Sequence, residues 1–191
     1  SGLVATTLPA LRRYQLESAW VWEHQALVRT RVVAGDLALK TSLEALRREV
    51  LAMPRKQSDL ASAVCEMRDK MRAEHTASSN SRERFDVKRD PGGIVDIEFV
   101  VQYLVLAHAS EHVELTVWSD VIRLLEALEQ TGLVTADQAE SLSQAYLDYR
   151  SATHSLGLQG CAAETDVAEF KVQRQQVKQI TEALLPGLQA G

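Results

Sequence analysis

Fifteen residues at positions 85–99, FDVKRDPGGIVDIEF, hold the side chains best suited to chemistry. Lys88 and Arg89 stand just before an Asp90-Pro91-Gly92-Gly93 turn, which opens straight into an apolar stretch of helical spacing. The first turn of a helix offers unpaired N–H groups and the positive end of the helix dipole. Adjacent glycines let a ligand approach such a backbone. With two cations beside it, the pattern predicts an anion or phosphate site at Lys88, Arg89, Gly92 and Gly93, with Asp96 among the residues facing the nucleotide or substrate. A plainer reading fits the same residues. Pro91-Gly92 is a common turn pair, and the dipole alone favours Asp96 in a first turn. Asp96 and Glu98 sit about 200° apart around a helix, so they cannot chelate one metal ion together.

A second dense patch is WVWEHQALVRTR, from Trp20 to Arg31. Trp22, Gln25, Ala26 and Arg29 share one helical face, with His24, Val28 and Arg31 on the next. The tryptophans and arginine stems suit a packed core. They equally suit an inter-domain surface from which Arg29 and Arg31 reach a phosphate. Other chemistries lack their motifs. The chain has no HExxH, no paired Glu-x-x-His, no G-x-S-x-G, no P-loop and no GxGxxG. Cys65 and Cys161 are too few and too far apart for a disulfide framework or a CxxC site, and inert thiols are expected.

The elements that must carry these residues read as helices almost throughout. Leu39, Leu43, Leu46, Val50 and Met53 form one stripe, and Leu60, Val64, Met67 and Met71 form another. Further stripes follow from Ile94, Val117, Leu142 and Val167. A first helix is expected from Pro9 to about Val33. Thr116 and Thr135 stand where N-caps should be, and Gly157 and Gly160 interrupt the later helices. No segment alternates long enough for a sheet. The expectation is an all-α fold, an antiparallel bundle of about six to seven helices in one domain over 1–191. Its main interruption is a basic Gly/Ser-rich loop at 76–93 carrying Arg82, Arg84, Lys88 and Arg89.

With 191 residues, 46% of them hydrophobic and 25% charged, the composition suits a core-forming domain and not a disordered one. Charge is uneven. Residues 1–90 carry 16 Lys and Arg against 12 Asp and Glu; residues 91–191 carry 5 against 14. An acidic chain argues against general nucleic-acid binding, which rests on phosphate neutralisation. The absence of a long apolar run argues against membrane insertion, and a cytoplasmic location is expected. The Ser1 start without Met suggests a piece of a longer protein.

Two segments carry a resemblance. WEHQALVRTRVVAGD at 22–36 and FDVKRDPGGIVDIEFVVQYLVL at 85–106 closely resemble the bifunctional glutamine synthetase adenylyltransferase/adenylyl-removing enzymes of bacteria. RREVLAMPR, EMRDKMR and TVWSDVIRLLEAL are similar to the same family. The resemblance implies a nucleotidyltransferase-associated helical domain following the C-terminal transferase domain. That domain would add AMP from ATP, with Mg²⁺, to a tyrosine of glutamine synthetase, while the N-terminal half of such enzymes removes it. Glutamine and the PII signal protein would tune the balance. The family's Gly-Ser turn and Asp-x-Asp metal pair are missing from this sequence, so the chain alone is expected to be inactive and to bind neither ATP nor Mg²⁺. Lys88, Arg89 and the Gly92-Gly93 tip would then meet ATP phosphates or a tyrosine-bearing loop, with Arg29 and Arg31 joining them. The rival expectation is a docking module whose acidic C-terminal half binds glutamine synthetase or PII.

Overall fold

Thr7 and Pro9 begin a helix as their types dictate. The Thr7 hydroxyl accepts from the Ala10 N–H, and Pro9 occupies the first turn of α1 (Leu8–Glu17). The helix does not continue to Val33 as expected. In the computed structural model, which describes residues 6–78 and 84–188, the Ser18 and Ala19 amides both return to the Tyr14 carbonyl, and Trp20 is extended. Glu23 fixes the break: its carboxylate accepts from the Trp20 N–H at 2.8 Å and from the Tyr14 hydroxyl at 2.8 Å. The chain then restarts as α2 (Val21–Val28). This bend turns His24, Gln25 and Val28 inward while α1 stays at the surface, burying only Gln15.

Asp36 caps α3 (Leu37–Leu51), accepting from the Ala38 and Leu39 amides. Only the later part of the expected stripe is covered, since Leu46 and Val50 are buried but Leu39 is exposed. Next comes α4 (Gln57–Ser78). The buried Arg47 joins the early helices through backbone carbonyls. It donates from Nε to the Leu27 carbonyl at 2.8 Å and from Nη2 to those of Val28 and Trp118. The Leu27 and Val28 carbonyls stand at the C-terminus of α2, where a cation is favoured.

At the centre lies α5 (Ile94–His108), with 13 of its 15 residues buried. A helix apolar on every side must be surrounded, and α2, α4, α6, α7 and α8 all pack on it. A 3-10 turn (Val113–Thr116) leads to α6 (Val121–Gln130), whose N-cap is Asp120 and not Thr116. Thr135 does cap α7 (Ala136–Leu158), in a reciprocal pair with Gln138. The short link between α6 and α7, which pack together, makes them an antiparallel hairpin. Gly157 lies within α7, and the chain turns at Gly160 (φ +72°) before α8 (Lys171–Leu184) closes the bundle.

Among the described residues there are eight α-helices, slightly more than expected, and one small sheet. β1 (Arg84–Asp86) pairs antiparallel with β2 (Glu164–Asp166), Phe85 facing Thr165. The segment 76–93 is therefore not a loop throughout. α4 reaches Ser78, a strand and a turn occupy 84–93, and 79–83, with Arg82, lie outside the described residues.

Candidate functional site

The turn between β1 and α5 is held by its own aspartates. Asp86 Oδ1 accepts from the Lys88 and Arg89 amides at 2.9 Å each, and Asp90 Oδ2 accepts from the Asp86 amide at 2.9 Å. Asp and Asn close turns in this way. The result points Lys88 and Arg89 outward, both exposed. Among the described residues their side chains form no hydrogen bond or ion pair.

The helix tip itself differs from expectation. The Gly92 amide donates to Asp96 Oδ2 at 2.7 Å and the Gly93 amide to the Asp90 carbonyl at 2.9 Å. The Ile94 and Val95 amides donate to the carbonyls of Val87 and Lys88. Each of these amides already has a protein acceptor, and Gly92 through Ile97 are buried. The glycines serve the fold instead of a ligand. Gly92 has φ +83°, and a Cβ there would lie 2.6 Å from the Arg174 carbonyl of α8. A Cβ on Gly93 would lie 2.5 Å from the Val87 carbonyl. Anion binding by tip amides is thus replaced by self-capping, and the cationic side chains are what remain to meet a ligand.

Asp96 has a structural post. It is 1% exposed, 2.6 Å from Arg68 Nε, with Arg72 Nη2 at 3.1 Å from both oxygens. Arg68, also 1% exposed, donates its Nη2 to the Arg89 carbonyl at 2.7 Å. Burial lowers the Arg68 pKa and the Asp96 charge opposes that fall. Two α4 arginines therefore clamp both the helix tip and the turn that presents Arg89. Sequence reasoning missed them, although their i,i+4 spacing within EMRDKMR marks one helix face.

A cavity of about 390 Å³ opens beside this clamp. Arg68, Lys88, Arg89, Glu74 and His75 line it, over Met71 and Val95. His75 Nε2 lies 3.3 Å from Asp90 Oδ1 and 3.6 Å from Asp86 Oδ2, placing α4 beside the turn on its other side. On the far flank, Arg174 donates to the Pro91 carbonyl at 2.8 Å and its guanidinium stacks 4.6 Å from the Phe85 ring centre. The structure keeps Lys88 and Arg89 together but does not add Arg29 or Arg31. Arg29 is ion-paired to Glu98 on α5, which also accepts from the Tyr146 hydroxyl at 3.3 Å. Arg31 lines a different pocket, between α1 and α3. Among the described residues no group of three or more His, Cys, Asp or Glu is placed to hold a metal ion, and no helix is long and apolar enough to cross a membrane. The donor set fits phosphate oxygens and does not fit Mg²⁺.

The sequence matches known proteins. The family model described as GlnD PII-uridylyltransferase matches residues 63–184, more than half of the chain, and the chain belongs to that family. The model for glutamate-ammonia ligase adenylyltransferase matches residues 1–46. Over 98% of its length the chain is 46% identical to a bifunctional glutamine synthetase adenylyltransferase/adenylyl-removing enzyme of Pseudomonas aeruginosa, covering 20% of that protein. Enzymes of the same description from Mannheimia haemolytica (42% over 97% of the chain, 19% of the relative) and Thioalkalivibrio sulfidiphilus (47% over 93%, 18% of the relative) are also similar. The chain thus spans about a fifth of the curated relatives it matches.

Proposed function

We propose that this bundle is the helical domain of a glutamine synthetase adenylyltransferase, working beside a nucleotidyltransferase domain that binds ATP and Mg²⁺. In this reading the reaction moves AMP from ATP to a tyrosine of glutamine synthetase, in the cytoplasm, and the bundle alone is inactive. The observation that carries the reading is the pair Lys88 and Arg89. Both are exposed and unpaired among the described residues, and both are set at a cavity rim by the Asp86 turn and the Arg68 clamp. A turn fixed through its backbone presents both side chains at one rim, where charge-assisted hydrogen bonds to phosphate oxygens or a substrate loop are available. Mg²⁺ ligands would come from the neighbouring domain.

The test is K88A/R89A in the full-length enzyme, read as AMP incorporation into glutamine synthetase. Loss of two charge-assisted contacts should lower transfer by about 10- to 100-fold with an unchanged melting temperature. Unchanged kinetics would remove the pair from the reaction. A rise confined to KM for ATP assigns the pair to the nucleotide, and one confined to KM for glutamine synthetase assigns it to the protein substrate.

The exposed Glu129, Asp137 and Glu140 on the α6–α7 hairpin favour a second reading, a docking face for glutamine synthetase or PII. Charge reversal there would weaken partner binding while leaving the ATP KM unchanged.

A further inference from the structure

Helix α1 is the least supported element of the bundle. It has ten residues, buries one of them, and leaves Leu8, Leu11 and Leu16 only half-buried. A helix this short does not persist in water without packing. The next residues are no better covered. Trp20 is 69% exposed, Val33 82% and Leu37 77%, and six of the thirteen exposed large apolar side chains among the described residues fall within 14–39. A concentration of this kind marks an interaction surface.

Between α1 and α3 lies a pocket of about 110 Å³, walled by Leu11, Leu27, Val32, Leu43 and Leu46. Gln15 also lines it, and its Oε1 is buried without a hydrogen-bond partner. Leaving such a carbonyl unmet carries a desolvation penalty that a partner's donor would relieve. A dry cavity of roughly 150 Å³ holds a benzene molecule, so this one suits a single large side chain. The family matches divide at the same place. The adenylyltransferase model covers 1–46, through α1, α2 and most of α3, whereas the other begins at residue 63.

We infer that the α1–α3 face docks onto the adenylyltransferase portion of a longer polypeptide, which inserts one apolar side chain bearing an N–H or O–H donor toward Gln15 Oε1. The relatives, about five times longer than this chain, have ample sequence to supply it. This surface is separate from the Lys88–Arg89 rim, and its test reads protection and not AMP transfer, so either reading can fail alone.

The experiment labels single cysteines in the full-length polypeptide with a small maleimide, read peptide by peptide by mass spectrometry. V33C and L37C should react at least about tenfold more slowly than L158C, whose native side chain is 78% exposed. Equal rates overturn the proposal. So does protection that fades on dilution with halving of the molecular mass, which marks a second copy, or protection lost on gel filtration, which marks a small ligand. Q15L removes the acceptor and L43W fills the pocket. Each should speed V33C labelling at unchanged helix content, and no acceleration in either overturns the anchoring by Gln15.

Discussion

Asp96 shows how a residue suited to chemistry can serve the fold instead. Its carboxylate is enclosed by Arg68, Arg72 and the Gly92 amide. Removing one partner of a buried ion pair leaves an uncompensated charge, at a cost of about 3–5 kcal/mol. D96N should therefore lower the urea midpoint substantially, and more than R68M, because it takes the counter-charge from two guanidinium groups whereas R68M leaves the carboxylate with Arg72 and the Gly92 amide. His24 gives the pH dependence. Its Nε2–H donates to the Gln15 carbonyl at 2.9 Å while Nδ1 accepts from Arg55 at 3.2 Å, so the ring is held neutral. Burial lowers its pKa, and the Arg55 charge adds to the fall. The unfolded chain then binds the proton more readily. Stability should be complete above about pH 6.5 and decline as pH drops through that value toward the folded pKa. H24Q, which keeps an Nε2 donor but cannot titrate, should flatten that decline between pH 8 and 5 in urea titrations. At this scale Lys88 and Arg89 were legible because they sit in one short stretch. Their clamp was not, since Arg68 and Arg72 lie on another helix and their target depends on packing.

Among the elements, the helices with clear apolar stripes and strong caps were legible, as Thr135 at α7 shows. The break between α1 and α2 was not, because it rests on one carboxylate receiving a distant hydroxyl and a local amide. Three-residue strands are too short for alternation to register, so the β1–β2 ribbon was unreadable as well. The Gly92-Gly93 pair was read as an opening for a ligand, but α8 closes on Gly92 and the carbonyls of Val87 and Asp90 close on Gly93. G92A should be strongly destabilising, since it combines a positive φ with a clash against the Arg174 backbone carbonyl. A fall of roughly 2 kcal/mol or more in unfolding free energy is expected. G132A has the same sign of φ and open space around it, so it isolates the backbone part.

For the molecule as a whole, α5 is the shared wall of most packing, and the two halves of the charge map are not independent surfaces. Acidic as residues 91–191 are in sum, they return Arg174 and Lys178 of α8 against the turn at Gly92, on the basic half's own ground. Counting charges along the chain could not show this. The ribbon adds a consequence in time. Phe85 meets Thr165 across 80 positions of sequence, and the turn after it leans on Arg174. On a ribosome, chain grown only through α7 has its clamp arginines and Tyr149 against Phe85, but not yet the partner strand or Arg174. The edge therefore receives its last braces only when β2 and α8 emerge, and a chain ended before them would carry the right residues on an unfinished support.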